Sequence, residues 1–116
     1  MKILITESKV NDIILKYLKD NIEPDYSWGP ELHDFYKEDV ARHGYYDFTI
    51  NDSLSYSYWL EDDYTGRLEV MPRVYDELDG LFGHMWEDLF VEWFEKNSGL
   101  KVDLFDRYDN SVNDRS

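Results

Sequence analysis

The sequence predicts an α+β fold: a single two-layer domain in which a small, mostly antiparallel sheet packs against two main helices. Three observations carry that expectation. Residues Tyr46 to Ile50, Leu54 to Leu60 and Arg67 to Met71 alternate in polarity and are separated by turn chemistry. Two longer stretches, Glu7 to Ile22 and Val74 to Phe94, repeat apolar residues every three or four positions. Strand-like segments stand before, between and after these helices, and no internal repeat interrupts the pattern.

Taken in order, Lys2 to Ile5 is a short β-branched apolar run that leads to Thr6 as a helix cap with Glu7 in the first turn. The helix that follows places Val10, Ile13, Ile14, Tyr17, Leu18 and Ile22 on one face and Lys9, Lys16, Lys19 and Asp20 elsewhere. Pro24 and Gly29-Pro30 break the periodicity, and Glu31 to Arg42 reads as a short helix or an irregular excursion ending at Gly44. In the hairpin, Phe48, Ile50, Leu54, Tyr56, Tyr58 and Leu60 alternate with Asp47, Thr49, Ser55, Ser57 and Trp59 about an Asn51-Asp52-Ser53 turn. Trp59 therefore falls on the opposite register from the tyrosines, so one face carries Tyr and Leu and the other Ser and a lone Trp, and one of the two must be covered by helix. A second turn, Glu61 to Gly66, leads to the third strand, which Pro72 ends.

Pro72 suits a first helical position, and Leu78, Leu81, Phe82, Met85, Trp86, Leu89, Phe90, Trp93 and Phe94 continue from it as the principal core helix until Gly99. Gly80 and Gly83 lie within it, so the helix breaks there or another backbone packs closely against it. Lys101 to Phe105 alternates as a final strand. Apart from Tyr108 and Val112 nothing apolar recurs beyond it, which predicts a single domain over residues 1–106 and a disordered tail over 107–116.

Composition limits function. The chain holds 26 acidic against 12 basic residues, a net charge of -14, together with four tryptophans, ten tyrosines and six phenylalanines. A disordered acidic segment lacks such aromatics, so the chain folds with an acidic, phenol-rich surface. That charge repels phosphate backbones and anionic lipid, which argues against direct nucleic-acid or membrane binding and for a basic protein partner. Solubility or a saline habitat is the alternative account of the acidity. The N-terminal apolar run is too short for a secretory signal, and without cysteine there is neither disulfide nor thiolate metal site, so a cytoplasmic location is expected.

The opening Met1-Lys2-Ile3-Leu4-Ile5-Thr6-Glu7-Ser8, and more loosely the Trp93-Phe94-Glu95 helix end running through Gly99-Leu100 into a strand, resembles small proteins encoded by tailed phages. The resemblance brings no activity and no functional residue. It implies action on a host component.

Catalytic constellations are mostly excluded. Gly80-Leu81-Phe82-Gly83 lacks the Lys-Ser/Thr of a phosphate loop, and Ser53, Ser55 and Ser57 sit in no Gly-x-Ser-x-Gly elbow. Glu61, Asp63, Thr65, Gly66 and Leu68 imitate part of a calcium loop, but Pro72 stands where a bidentate glutamate should close it. His33, Asp34, Glu38, Asp39 and His43 offer nitrogen and oxygen ligands, against which stands a solvated polar segment. His84 and Asp88, one turn apart and with Glu77 on nearly the same face, suit a divalent ion or an acid/base pair, against a surface hydrogen bond. No cofactor is expected.

Tyr26, Trp28, Phe35, Tyr36, Tyr45, Tyr46, Trp59 and Tyr64 lie in or near loops and turns, as contact rings or as a satellite core. The favoured reading is an acidic interaction module, of the kind a phage uses to inhibit a host protein, whose carboxylates imitate phosphates. Its expected contact residues are Glu61, Asp62 and Asp63 on the turn, Asp88, Glu92 and Glu95 on the helix, and Trp28, Trp59 and Tyr64 as anchors. A small-ligand or metal-binding protein with an aromatic pocket near Trp28 and Tyr36 is the alternative, and a virion or assembly component a third.

Overall fold

The computed structural model describes residues 7–26, 28–62 and 65–108. It is an α+β protein, with helices α1 (Glu7–Asn21), α2 (His33–His43), α3 (Pro72–Phe82) and α4 (Trp86–Ser98), and strands β1 (Tyr45–Ile50), β2 (Ser53–Glu61), β3 (Thr65–Val70) and β4 (Leu104–Arg107). The expected opening strand at Lys2–Ile5, the Thr6 cap, Asp63, Tyr64 and the tail from residue 109 lie outside the described residues.

The four strands lie in the order β1-β2-β3-β4, with the first three antiparallel and β4 parallel to β3. A parallel neighbour needs a long crossover, and α3 and α4 supply it. The ladder begins at Leu104 and not at Lys101 because the preceding groups are taken. The Lys101 carbonyl accepts from the Tyr58 hydroxyl (2.6 Å), Val102 N–H donates to Glu95 Oε2 (2.8 Å), and Asp103 N–H donates to the Gly66 carbonyl (2.8 Å). Order also continues past residue 106: Arg107 belongs to β4, and Tyr108 N–H donates to the Val70 carbonyl (2.8 Å).

The excursion after Pro30 is a single 3-10 turn followed by α2, which ends at Gly44. The long core helix breaks in two. Gly83 takes φ 64 and ψ −139, a positive-φ conformation open to glycine, and its N–H closes α3 on the Asp79 carbonyl (2.9 Å). No other part of the fold lies within 4 Å of where a Cβ would stand on Gly80 or Gly83, so close backbone packing does not account for the pair; the turn after α3 requires Gly83, while Gly80 lies inside the helix.

Between sheet and helices lies a core of rings: Phe48, Tyr56, Trp86, Phe90 and Phe94 are essentially fully buried. Tyr56 pays for its burial by donating to the Ile22 carbonyl (2.8 Å), and α1 contributes Ile14 and Leu18, with Ile22 just beyond its end. Trp28, expected as a contact ring, is 7% exposed and belongs here, edge-on to Trp93 (4.8 Å), Phe48 (5.7 Å) and Phe94 (5.8 Å). Its loop folds beneath the sheet because so small a domain needs the large ring to close its core.

The β1–β2 turn is tight, with Asn51 and Asp52 at φ 53 and 64. Asp25 holds it: its carboxylate accepts from Asn51 N–H (2.6 Å), Asp52 N–H (2.9 Å) and Thr49 Oγ1 (3.2 Å). The Asp52 and Asn51 amides draw the Asp25 carboxyl below its usual value. A depressed folded value means the stabilisation is present above the unfolded carboxylate range and is lost as pH falls through the folded value. Asp25→Ala should therefore lower the melting temperature at neutral pH, and the gap from the parent should narrow as pH falls from the unfolded carboxylate value of about 3.9 through the lower folded value, below which both lack the charge. Thermal melts across that range check it.

Candidate interaction surface

Strand alternation divides the sheet. Phe48, Tyr56, Tyr58, Leu68 and Val70 turn to the core, which sends Tyr45, Asp47, Ser57, Trp59, Arg67, Glu69, Leu104 and Asp106 to the other face. Among the described residues no helix covers that face.

Register sorts its residues into rows. Tyr45 pairs with Trp59, Trp59 with Arg67 and Arg67 with Leu104, forming one continuous line across the strands. At a strand spacing near 4.8 Å this line is about 14 Å long. Tyr45, Trp59 and Leu104 are each 40% exposed, and the Tyr45 and Trp59 rings stack at 4.8 Å with 25° between their planes. The adjacent row is Asp47, Ser57, Glu69 and Asp106, with the Ser57 hydroxyl donating to Asp47 Oδ1 (2.7 Å).

Arg67 joins the rows. Its Nε donates to Glu61 Oε1 (2.5 Å) and its Nη1 to Asp106 Oδ2. The Glu61 bond foremost raises the guanidinium pKa further. Glu69 moves the other way in charge: burial pushes its carboxyl up, Arg67 draws it back, and Asp106 and Glu61 add to the rise. A partly desolvated carboxylate with acidic neighbours gains from an incoming cation. At the margin, Arg73 Nη2 donates to Ser55 Oγ (3.4 Å), so Asp47, Glu61, Glu69 and Asp106 outnumber the arginines of the face.

The structure distributes the residues expected from the sequence unevenly. Trp59 and Glu61 lie on the open face, and Asp62 is exposed at its edge in the left-handed region (φ 49). Asp88 and Glu92 are exposed on α4, a separate surface, and Glu95 is held by the Val102 amide (2.8 Å). Trp28 is packed in the core, and its remaining surface lines a cavity of about 520 Å³ with Lys19, Glu23, Glu92 and Trp93, away from the sheet face.

The first histidine cluster does not converge. His33 Nε2 meets the Lys96 carbonyl at 3.1 Å, while His43 pairs with Asp39 (3.8 Å) at the far end of α2, about 15 Å along the helix axis. His84 Nδ1 lies 3.3 Å from Asp79 Oδ1 and 3.5 Å from Glu87 Oε2, not with Asp88 or Glu77, because the break at Gly83 removes the continuous helix that the spacing presumed. Tyr45 is among the loop rings that the sequence offers as contacts, whereas Asp47, Glu69, Leu104 and Asp106 carry no such mark in the sequence. Their alternation is legible, but their alignment depends on strand register.

A cavity of about 480 Å³ on the other side of β1 is lined by Tyr26, Leu32, Phe35, Tyr36 and Tyr46. Burial, with smaller effects from Tyr46 and Glu31, pushes the Tyr36 phenol up to about 12. No phosphate loop, nucleophile elbow or convergent acid/base pair accompanies it among the described residues. No described helix is long and apolar enough to cross a membrane. Searches against protein-family models, curated proteins and solved structures give no match to this chain.

Proposed function

We propose that this chain is an acidic protein-interaction module that docks the open face of its sheet on a partner presenting clustered arginine and lysine. One observation carries the reading: the in-register line Tyr45–Trp59–Arg67–Leu104, whose Tyr45, Trp59 and Leu104 are exposed and which no helix among the described residues covers. Trp, Tyr and Arg are the residues in which binding energy concentrates, and a stacked, half-exposed pair of rings loses little side-chain freedom on contact. The flanking carboxylates select the sign of the partner and speed its approach. A phage-type inhibitor that covers the phosphate-binding cleft of a host enzyme is the form of this module that the net charge and the N-terminal resemblance favour.

Arginine-rich peptide, titrated at low and high salt and followed by amide and indole NMR, tests it. The peptide should move the Trp59 indole and the Tyr45 and Glu69 amides, with affinity falling steeply as salt rises. Trp59→Ala should cost about 2 kcal/mol or more, roughly thirtyfold in Kd. Shifts spread evenly over every acidic surface would defeat the proposal.

The cavity beside Phe35 and Tyr46 favours a second reading, a site for a small neutral or cationic ligand. A fragment screen distinguishes the two, since that ligand would move the Phe35 and Tyr46 ring resonances and leave Trp59 in place.

A further inference from the structure

We propose that Asp79, His84 and Glu87 form a binding site for a borderline divalent cation of the zinc type. The site lies on the connection between α3 and α4, shares no residue with the open sheet face, and is independent of the function assigned to that face. Its three ligands come from one chain reversal: Asp79 from the last turn of α3, His84 from the connection and Glu87 from the first turn of α4. Gly83, at φ 64 and ψ −139, opens the turn between the helices that brings them together.

The distances suit a shared ion. One potential ligand atom from each residue lies within 4.8 Å of the others. His84 Nδ1 stands 3.3 Å from Asp79 Oδ1 and 3.5 Å from Glu87 Oε2. Zinc–nitrogen and zinc–oxygen bonds of about 2.0–2.2 Å in tetrahedral geometry separate neighbouring ligand atoms by roughly 3.3–3.6 Å. The two histidine–carboxylate separations match that edge, and the carboxylate–carboxylate separation, within 4.8 Å, closes onto it with a small side-chain movement.

The carboxylates are also held from behind by groups outside the ligand set. Trp86, fully buried, donates its indole N–H to Asp79 Oδ1 (2.9 Å), and the Tyr75 hydroxyl donates to Glu87 Oε2 (2.5 Å). Tyr75 and Trp86 pack edge to face at 4.9 Å, so both donors belong to one rigid wall. Outer hydrogen bonds of this kind fix ligand orientation in metal sites and are worth about 10- to 100-fold in affinity. The chemistry of the set narrows the ion. One imidazole with two carboxylates suits zinc, cobalt or nickel, whereas calcium wants about six to eight oxygen ligands, which this turn does not assemble. The side chain of His84 is 81% exposed, so an ion can enter from solvent and keep water in its remaining positions.

The test is calorimetry with Zn²⁺ on chelator-treated full chain, together with the visible spectrum of Co²⁺ added in its place. The expected result is a single stoichiometric site, an intense low-symmetry Co²⁺ spectrum, and a loss of affinity of at least about tenfold in His84→Ala. Tyr75→Phe should weaken binding by a smaller factor while the spectrum keeps its form, and His33→Ala and Asp88→Asn should change neither readout. Because His84 is solvent-exposed, His84→Ala should keep the parent circular dichroism, which separates loss of a ligand from loss of fold. Absence of a stoichiometric site, or equal binding by His84→Ala, overturns the proposal and assigns the ions to the acidic surface at large.

Discussion

Gly66→Ala is expected to remove much of the stability of this domain. A Cβ on Gly66 would stand 2.0 Å from the Tyr58 hydroxyl oxygen and 2.1 Å from the Lys101 carbonyl oxygen, far inside contact distance. Those two atoms form a hydrogen bond of 2.6 Å, and one of them is backbone, so no side-chain rotation clears the space. The same residue is bound through both its own polar groups: its N–H donates to Asp103 Oδ2 (2.9 Å) and its carbonyl accepts from Asp103 N–H (2.8 Å). A methyl group there must push the 101–103 segment away from β3 and spoil the approach to β4. Overpacking of about 1–3 kcal/mol combined with a buried phenol stripped of its acceptor, about 1–3 kcal/mol more, gives a loss of about 3–5 kcal/mol. That is a large share of the roughly 5–15 kcal/mol that holds a domain folded. Urea denaturation checks it, and a loss below about 1 kcal/mol would show that the β3–β4 contact yields easily.

Trp28→Ala should be comparably destabilising, by about 3–5 kcal/mol, as for other large buried rings replaced by alanine. Trp28 is nearly buried and touches Phe48, Trp93, Phe94 and Tyr56, so truncation opens a cavity among rings that cannot all collapse into it. Trp59→Ala, on the open face, should cost less than about 1 kcal/mol of stability, the stacking with Tyr45 being its main ring contact. The contrast between two tryptophans of one chain, read by the same melt, tests the division of the aromatics into core and contact surface. Similar losses for both would deny it.

That division shows how far the sequence could be read. The β1–β2 hairpin was legible because period-2 alternation and turn chemistry act over a few residues, and the same alternation set Trp59 opposite Tyr56 and Tyr58. Trp28 was not legible. A ring between Pro24 and Gly29 has no periodic partner, and its burial depends on Phe48 and Phe94, which only the folded chain brings near. The line Tyr45–Trp59–Arg67–Leu104 draws one residue from each strand, and its last member depends on a parallel pairing across two helices. The acids show the same limit. Glu61 and Asp62 were marked by their turn, whereas Asp47, Glu69 and Asp106 gained a common row only from register. At His84 the helical period points to Asp88, and one positive-φ glycine moves the partnership to Asp79 and Glu87.

The most direct test of the interaction account compares two variants of equal charge change for retention of a basic partner captured at low salt. One neutralises the open face (Asp47→Asn with Glu69→Gln); the other neutralises α4 (Asp88→Asn with Glu92→Gln). Bulk electrostatics falls equally in both, so any difference between them reports the site. The account predicts that the open-face variant loses the partner by at least about tenfold more than the α4 variant, and that Trp59→Ala loses it as well. Equal losses from the two double variants, with Trp59→Ala unchanged, would show that only net charge matters and would contradict docking through the sheet.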